Sequence, residues 1–241
     1  IGDPNLFGIG GGAVIFMAAL TIGLISLPNY GEFAGAIISS LIVALILTSL
    51  VSNQDLTPMK LAIMGIAVGA LMVSLATSVI SSGRVFPAQV IGLVAGSFTS
   101  SSWELIYFMV FSLLVCFAVS IILSGRLLPI TLGDDIARSF GVSPVKTRIY
   151  LMSVAAILAG SSVYAAGLIG FIGLISPHLA RRFVGNSPIQ LVLMSTMVGG
   201  TLAILSDQIS RLMFAPIELP VGLTTTVLGA PLMMYLAWKY K

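Results

Sequence analysis

Apolar residues in this chain do not alternate with polar ones; they run on in long stretches, and charged positions arrive in short bursts between them. Cutting the sequence at its charges leaves apolar runs near 5–31, 33–54, 61–83, 105–125, 149–177, 183–206 and 219–238. A helix rises about 1.5 Å per residue, so roughly 20 such residues reach across a hydrocarbon core of about 30 Å. Lipid supplies no hydrogen-bond partners, which leaves helices or a closed barrel, and continuous runs select helices. The predicted spans are 10–27, 33–51, 60–80, 103–123, 148–166, 168–184, 189–207 and 220–238, eight in all. The expected fold class is all-α: a polytopic membrane protein, with a single membrane domain over residues 1–241.

The connections carry the rest of the pattern. Residues 52–60, SNQDLTPMK, form a short turn in which Thr57 followed by Pro58 reads as a helix N-cap with proline in the first turn. Within the connection 81–102, FPAQVIGLVAG is too short to span and reads as a surface or re-entrant helix. The loop 124–147 holds most of the polar stretch TLGDDIARSFGVSPVKTR (131–148), yet Leu132, Ile136 and Phe140 recur in it every fourth residue. Thr131 with Asp134 has the form of a capping box, and Asp134 and Arg138 stand four apart with the acid first. Gly141 stops this helix and Ser143-Pro144 starts the next. A helix of about two turns is unstable alone in water. Something must cover its apolar stripe: the protein's own spans, the lipid interface, or a partner protein.

Composition fixes the solvent and the orientation. The 241 residues are 58% hydrophobic and 8% charged, with mean hydropathy +1.12, against about 25% charged in a soluble domain. Eight spans put both ends on one side. Lys60, Arg126, Arg138, Lys146, Arg148, Arg181, Arg182, Lys239 and Lys241 fall on that side, and only Arg84 and Arg211 on the other. The excess makes the first side cytoplasmic and places the 131–148 segment and the C-terminus in the cytosol. The net charge of +3 follows from this bias and does not argue for nucleic acid.

Candidate chemistry is sparse. Cys116 is the only cysteine and lies inside a span; His178 is the only histidine, at a cytoplasmic helix end beside Arg181 and Arg182, where a structural or interfacial role is expected. There is no G-x-x-x-x-G-K-[ST] phosphate cradle, no H-E-x-x-H or Cys/His set for zinc, and no Ser–His or Ser–Lys pair for an intramembrane protease. A proton-driven carrier calls for acids or histidines in mid-span. The one candidate, Asp207, lies near a membrane edge with Arg211 one turn on, in position to pair with it. The chain carries neither an engine nor a proton relay, so energy for any transport comes from elsewhere. Its 25 glycines, among them Gly10-Gly11-Gly12, Gly65 with Gly69, and Gly167, Gly170 and Gly173, suit close helix packing.

At LGDDIARSFG the sequence resembles the cytoplasmic loop of the FecCD-type permeases, the membrane subunits of ATP-binding-cassette importers for iron–siderophores, haem and cobalamin. The likeness continues in GLIGFIGLISPHLARRFVG (167–185), LSDQISRLMFAPIELPVGLTTTVLGAPLMMYLAWK (205–239), GDPNLFGIGGGA (2–13) and LTPMKLAIMGIAVGA (56–70), in the family's order. It implies ten spans with both ends cytoplasmic, of which this chain, opening on Ile1, holds the last eight. It implies that Leu132, Gly133, Asp134, Asp135, Ala137, Arg138, Phe140 and Gly141 seat in a cleft of a cytosolic ATPase. ATP and Mg2+ then belong to that partner, with no cofactor, metal or catalytic residue on this chain. It implies docking of an extracytoplasmic substrate-binding protein at Arg211, with the local pair to Asp207 as the competing reading. A cytoplasmic gate falls at Thr57, Pro58 and Met59, where the family more often has small hydroxyl residues. A second permease copy, identical or a paralogue, completes the pathway in the bacterial cytoplasmic membrane. Iron–siderophore leads as substrate, with haem or cobalamin as alternatives. The rivals of other classes are an ion-gradient-driven secondary carrier, which needs a mid-span acid, an intramembrane enzyme, and a purely structural subunit.

Overall fold

The computed structural model describes residues 3–5, 8–52, 58–83, 87–99, 101–185, 187–213 and 218–239. Its regular structure is helical throughout these residues: α1 Ile9–Thr21, α2 Asn29–Ser52, α3 Pro58–Ser82, α4 Pro87–Ala95, α5 Trp103–Thr131, α6 Asp134–Ser139, α7 Pro144–Ala166, α8 Ile172–Val184, α9 Pro188–Leu212 and α10 Val221–Lys239. Among the described residues, five segments are long and apolar enough to cross a membrane: Asn29–Ser49, Ile63–Ser82, Trp103–Leu127, Pro144–Ala166 and Pro188–Leu212. The short helix expected within 81–102 is α4, nine residues long.

Two expected spans come out short. The segment 10–27 is helical only over α1, and 168–184 only over α8, 13 residues each. At 1.5 Å per residue each reaches about 20 Å, short of a bilayer core of about 30 Å. Apolar content could not reveal this, because irregular backbone is tolerated at membrane depth where protein supplies its hydrogen bonds. It does so around 166–171. The Leu168 N–H donates to the Leu93 carbonyl at 3.0 Å, Ser97 N–H to Ala166 O at 2.8 Å, and Val221 N–H to Gly96 O at 3.0 Å. The segment between α7 and α8 is thereby stitched to the end of α4, and the residues after α4 in turn hold the start of α10.

α1 stands at the centre, packed against α2, α3 and α7. Ile9 through Val14 are all buried. The run of glycines permits this approach: a Cβ at Gly11 would lie 2.5 Å from the Met72 Cβ, and one at Gly12 2.5 Å from the Ser39 carbonyl oxygen. Small residues at the seam let backbones meet and gain dispersion contacts, the main attraction available between helices in lipid. α8 packs on α9, and α10 joins them. α5 lies against α7 and leaves Phe111, Leu114 and Ile122 bare, an apolar face suited to lipid.

Chain alternation gives the bundle two ends. One carries α6 with the ends of α2, α8 and α10; the other carries α4 with the starts of α2 and α5. Polar contacts gather at the second: the Asn29 amide donates to Glu104 at 2.9 Å, and the Tyr164 hydroxyl lies 3.4 Å from Glu32. Phe33 stacks on Phe108 beside them, with ring centroids 5.2 Å apart.

Candidate functional site: the α6 knob and its surroundings

α5 does not stop where its span was expected to end. It runs eight residues past 123, through Pro129, to Thr131. α6 then opens at Asp134 behind Gly133, whose φ of +123° belongs to glycine. Thr131 is therefore the last residue of α5, and the expected capping box does not define the start of α6. The carboxylates of Asp134 and Asp135 still sit in the first turn and Arg138 in the last, the arrangement the helix dipole favours. Gly141, at φ +74°, ends the element as expected, with Val142 N–H donating to Ala137 O at 2.9 Å. Ser143 precedes α7 and Pro144 opens it, although the Ser143 hydroxyl makes no capping bond.

The expected pairing of Asp134 with Arg138 is replaced by two others. Asp134 accepts from Arg148 of α7 at 2.8 Å, and Arg138 turns to Asp135 at 3.8 Å. Arg148 wins Asp134 because α7 returns alongside α6. The first pair pins α6 to α7; the second is exposed and contributes little, about 0–1 kcal/mol.

The apolar stripe is open. Leu132 is 58% exposed, Ile136 43% and Phe140 70%, while Ala137 alone is buried beneath them. α6 touches α5 and α7 through its small side, and the large side chains point away from the bundle. Of the three possible covers, the protein's own spans are not the one. The result is a short knob with apolar corners and a charged rim of Asp135 and Arg138, held on both flanks by long helices.

Other expected positions are dispersed. Arg211, in the last turn of α9, makes the local pair: its Nε lies 3.0 and 2.9 Å from the Asp207 carboxylate oxygens, with Glu218 3.9 Å from its terminal nitrogen. Its side chain remains partly exposed at the α4 end, far along the chain from α6. Of the gate residues, Thr57 lies outside the described residues, and Pro58 and Met59 begin α3. His178 turns its Nδ1 to the Leu174 carbonyl at 2.9 Å, within its own helix. Cys116 is buried, its sulfur 4.0 Å from Val154 O.

One polar site has no counterpart in the expectations. Asp3 is 2% exposed, the one buried charged side chain among the described residues. Its Oδ1 accepts the Asn5 N–H at 2.9 Å, and the Asn5 amide donates to Ile169 O at 3.0 Å. Cutting the sequence at charges had set Asp3 outside every apolar run; only the approach of α8 to this distant segment buries it. No signal in the local sequence announces that contact.

The chain is 31% identical over 245 residues to the Fe(3+)-citrate import system permease of Bacillus subtilis, covering 99% of this chain and 71% of that protein. It is 32% identical over 238 residues to the vitamin B12 import system permease of Vibrio cholerae serotype O1, covering 98% and 72%. A solved ABC transporter of metal-chelate type, in an inward-facing conformation, shares the fold with a TM-score of 0.86 and 27% identity, over 99% of this chain and 76% of that one. Residues 1–239 match the FecCD transport family, and with these relatives on either side of the match the chain belongs to that family: it is a membrane-embedded permease subunit of an ABC importer.

Proposed function

We propose that this permease moves an iron chelate, a siderophore complex first and haem or cobalamin as alternatives, across the bacterial cytoplasmic membrane into the cytosol. One observation carries the mechanical part: the unburied stripe of Leu132, Ile136 and Phe140 on a knob braced by α5 and α7. A cytosolic ATPase grips that knob. Leu132 and Phe140 fill its groove, Asp134, Asp135 and Arg138 set orientation, Ala137 lets α6 sit low on the bundle, and Gly133 and Gly141 turn the chain into and out of it. Apolar anchors inside a charged rim are what a specific interface requires. ATP and Mg2+ are bound by that partner, and closure of two ATPases biases the permease between two conformations.

On the opposite face an extracytoplasmic binding protein delivers the chelate. Arg211 serves both as partner of Asp207 and as a docking charge, since its guanidinium retains free donors beyond the two carboxylate oxygens. Thr57, Pro58 and Met59 form the cytoplasmic gate. A second permease copy completes the pathway, and the basic excess on the α6 side supports a cytosolic position for that side and the C-terminus. Iron–citrate and vitamin B12 permeases resemble this chain almost equally, which supports the chelate class and leaves siderophore as our choice within it.

The test is uptake of labelled ferric siderophore, haemin and cobalamin by the assembled complex in vesicles. ATP-dependent uptake of one chelate, abolished by Phe140→Glu together with ATPase association, is expected. Uptake driven by an ion gradient without ATP would overturn the reading.

A further inference from the structure

The buried carboxylate at Asp3 meets the start of a half-length helix. α8 begins at Ile172 behind Phe171, which has no side-chain group to cap it and holds φ at +68°, the one non-glycine residue in that region among those described. A left-handed phenylalanine is sparsely populated and persists only where its surroundings over-determine it. Two contacts do so. On one side a Cβ at Gly229, midway along α10, would lie 2.6 Å from the Phe171 Cβ, so the ring is wedged against α10 backbone. On the other side the Asp3 carboxyl group packs on the first turn of α8, where a Cβ at Gly173 would lie 3.1 Å from the Asp3 Cγ.

The depth follows from the neighbours. Gly8, five residues after Asp3, approaches Gly69 in the middle of α3, while Phe171 meets the middle of α10. Asp3 therefore sits within the bundle, at neither end. A carboxylate there needs positive charge, and none of the ion pairs among the described residues reaches it. The compensation available is the first turn of α8, which Phe171 cannot cap and whose N–H groups and dipole present partial positive charge. The second carboxylate oxygen, Oδ2, is buried without a hydrogen-bond partner, so its interaction with α8 is electrostatic.

We propose that Asp3 is a positioning residue: it caps the N-terminus of α8 from a distant segment and fixes the angle at which α8 runs to the α6 end. α8 carries His178, Arg181 and Arg182 toward that end. A helix fixed at its root and packed along α9 carries a rotation of the root to its far end. Asn5 completes the latch by holding the Ile169 carbonyl, so both sides of the left-handed turn are tied to residues 3–5. The coupling role rests on the import reading above; the capping role does not.

The decisive measurement is the distance distribution between spin labels at Phe183 on α8 and Phe140 on α6, both exposed, in the full-length permease in nanodiscs. Asp3→Asn keeps the shape and an acceptor for the Asn5 N–H but removes the charge; Asp3→Ala removes both. A cap of this kind shifts the balance of α8 orientations about tenfold. Asp3→Ala should therefore broaden the distribution, with Asp3→Asn intermediate. In the assembled complex, transport per ATP should fall in the same order while ATPase activity holds within about twofold. Should the alanine variant fail to assemble, the asparagine variant decides alone. An assembled Asp3→Asn permease with unchanged distances and unchanged transport per ATP would overturn the proposal. Altered distances in a permease that imports no chelate would leave the cap standing and overturn the import reading instead.

Discussion

α1 and α5 are built from similarly apolar residues and meet opposite fates. α1, IGGGAVIFMAALT, has its first half buried on every side by α2, α3 and α7. α5, WELIYFMVFSLLVCFAVSIILSGRLLPIT, packs on α7 by one face and exposes Phe111, Leu114, Val115 and Ile122 on the other. Hydropathy does not separate them, because lipid and protein interior are both apolar. Residue size does. The centre of a membrane bundle goes to the helix whose small side chains let neighbours approach, and the rim to the helix whose large side chains satisfy lipid. α6 adds the instructive exception, large apolar side chains exposed outside any apolar run.

That contrast is sharpest at Gly12. Gly12→Leu places a side chain where even a Cβ would meet the Ser39 carbonyl at 2.5 Å, against backbone that cannot swing aside. The expected loss is about 3 kcal/mol or more, read as loss of the monodisperse folded fraction in detergent; normal folding would mean that α1 is not the packed centre. At α6 the effect moves from folding to assembly. Phe140→Ala should leave the melting temperature unchanged and weaken ATPase association by about 2 kcal/mol, the scale of an interface anchor; co-purification with the ATPase checks it. Smaller still is the half-buried pair on α9. Asp207→Asn should cost about 0–1 kcal/mol of stability, and any larger change in binding-protein affinity for Arg211→Ala than for Asp207→Asn would assign Arg211 to docking. The smallest effect belongs to the lipid face: Phe111→Ala on α5 should shift stability by no more than about 0.5 kcal/mol, and a larger thermal shift would mean that a protein surface covers this face.

The long spans were legible because a continuous apolar run has one solution in lipid. α2, α7, α9 and α10 begin and end within a few residues of expectation, and Pro58, Pro144 and Pro188 open helices where a first-turn proline belongs. The half-length helices were hidden by the same logic. α8 starts late where α4 supplies partners to the segment before it, and that knowledge exists only in the tertiary contacts. α1 stops locally instead, at Gly23 with φ +76°, where the Gly23 and Leu24 N–H groups bond back to Leu20 and Ala19. At α6 the stripe, the stop at Gly141 and the charge order were all readable. The capping box was not, since α5 continues through Thr131, and neither was the Asp134 pairing, because Arg148 is fourteen residues away and is brought close by the return of α7. Asp3 shows the limit most clearly: its burial depends on a helix that begins 169 residues later.

Gly133 and Gly141 flank α6 with open space around them, for a Cβ at either would meet nothing within 4 Å. Bulk is thus not what these two positions refuse; handedness is. A mirror-image alanine introduced at 133 or 141 by chemical ligation would match the backbone that an ordinary alanine strains. Such a protein would keep its surface and lose its two swivels, separating the shape of the knob from its freedom to turn.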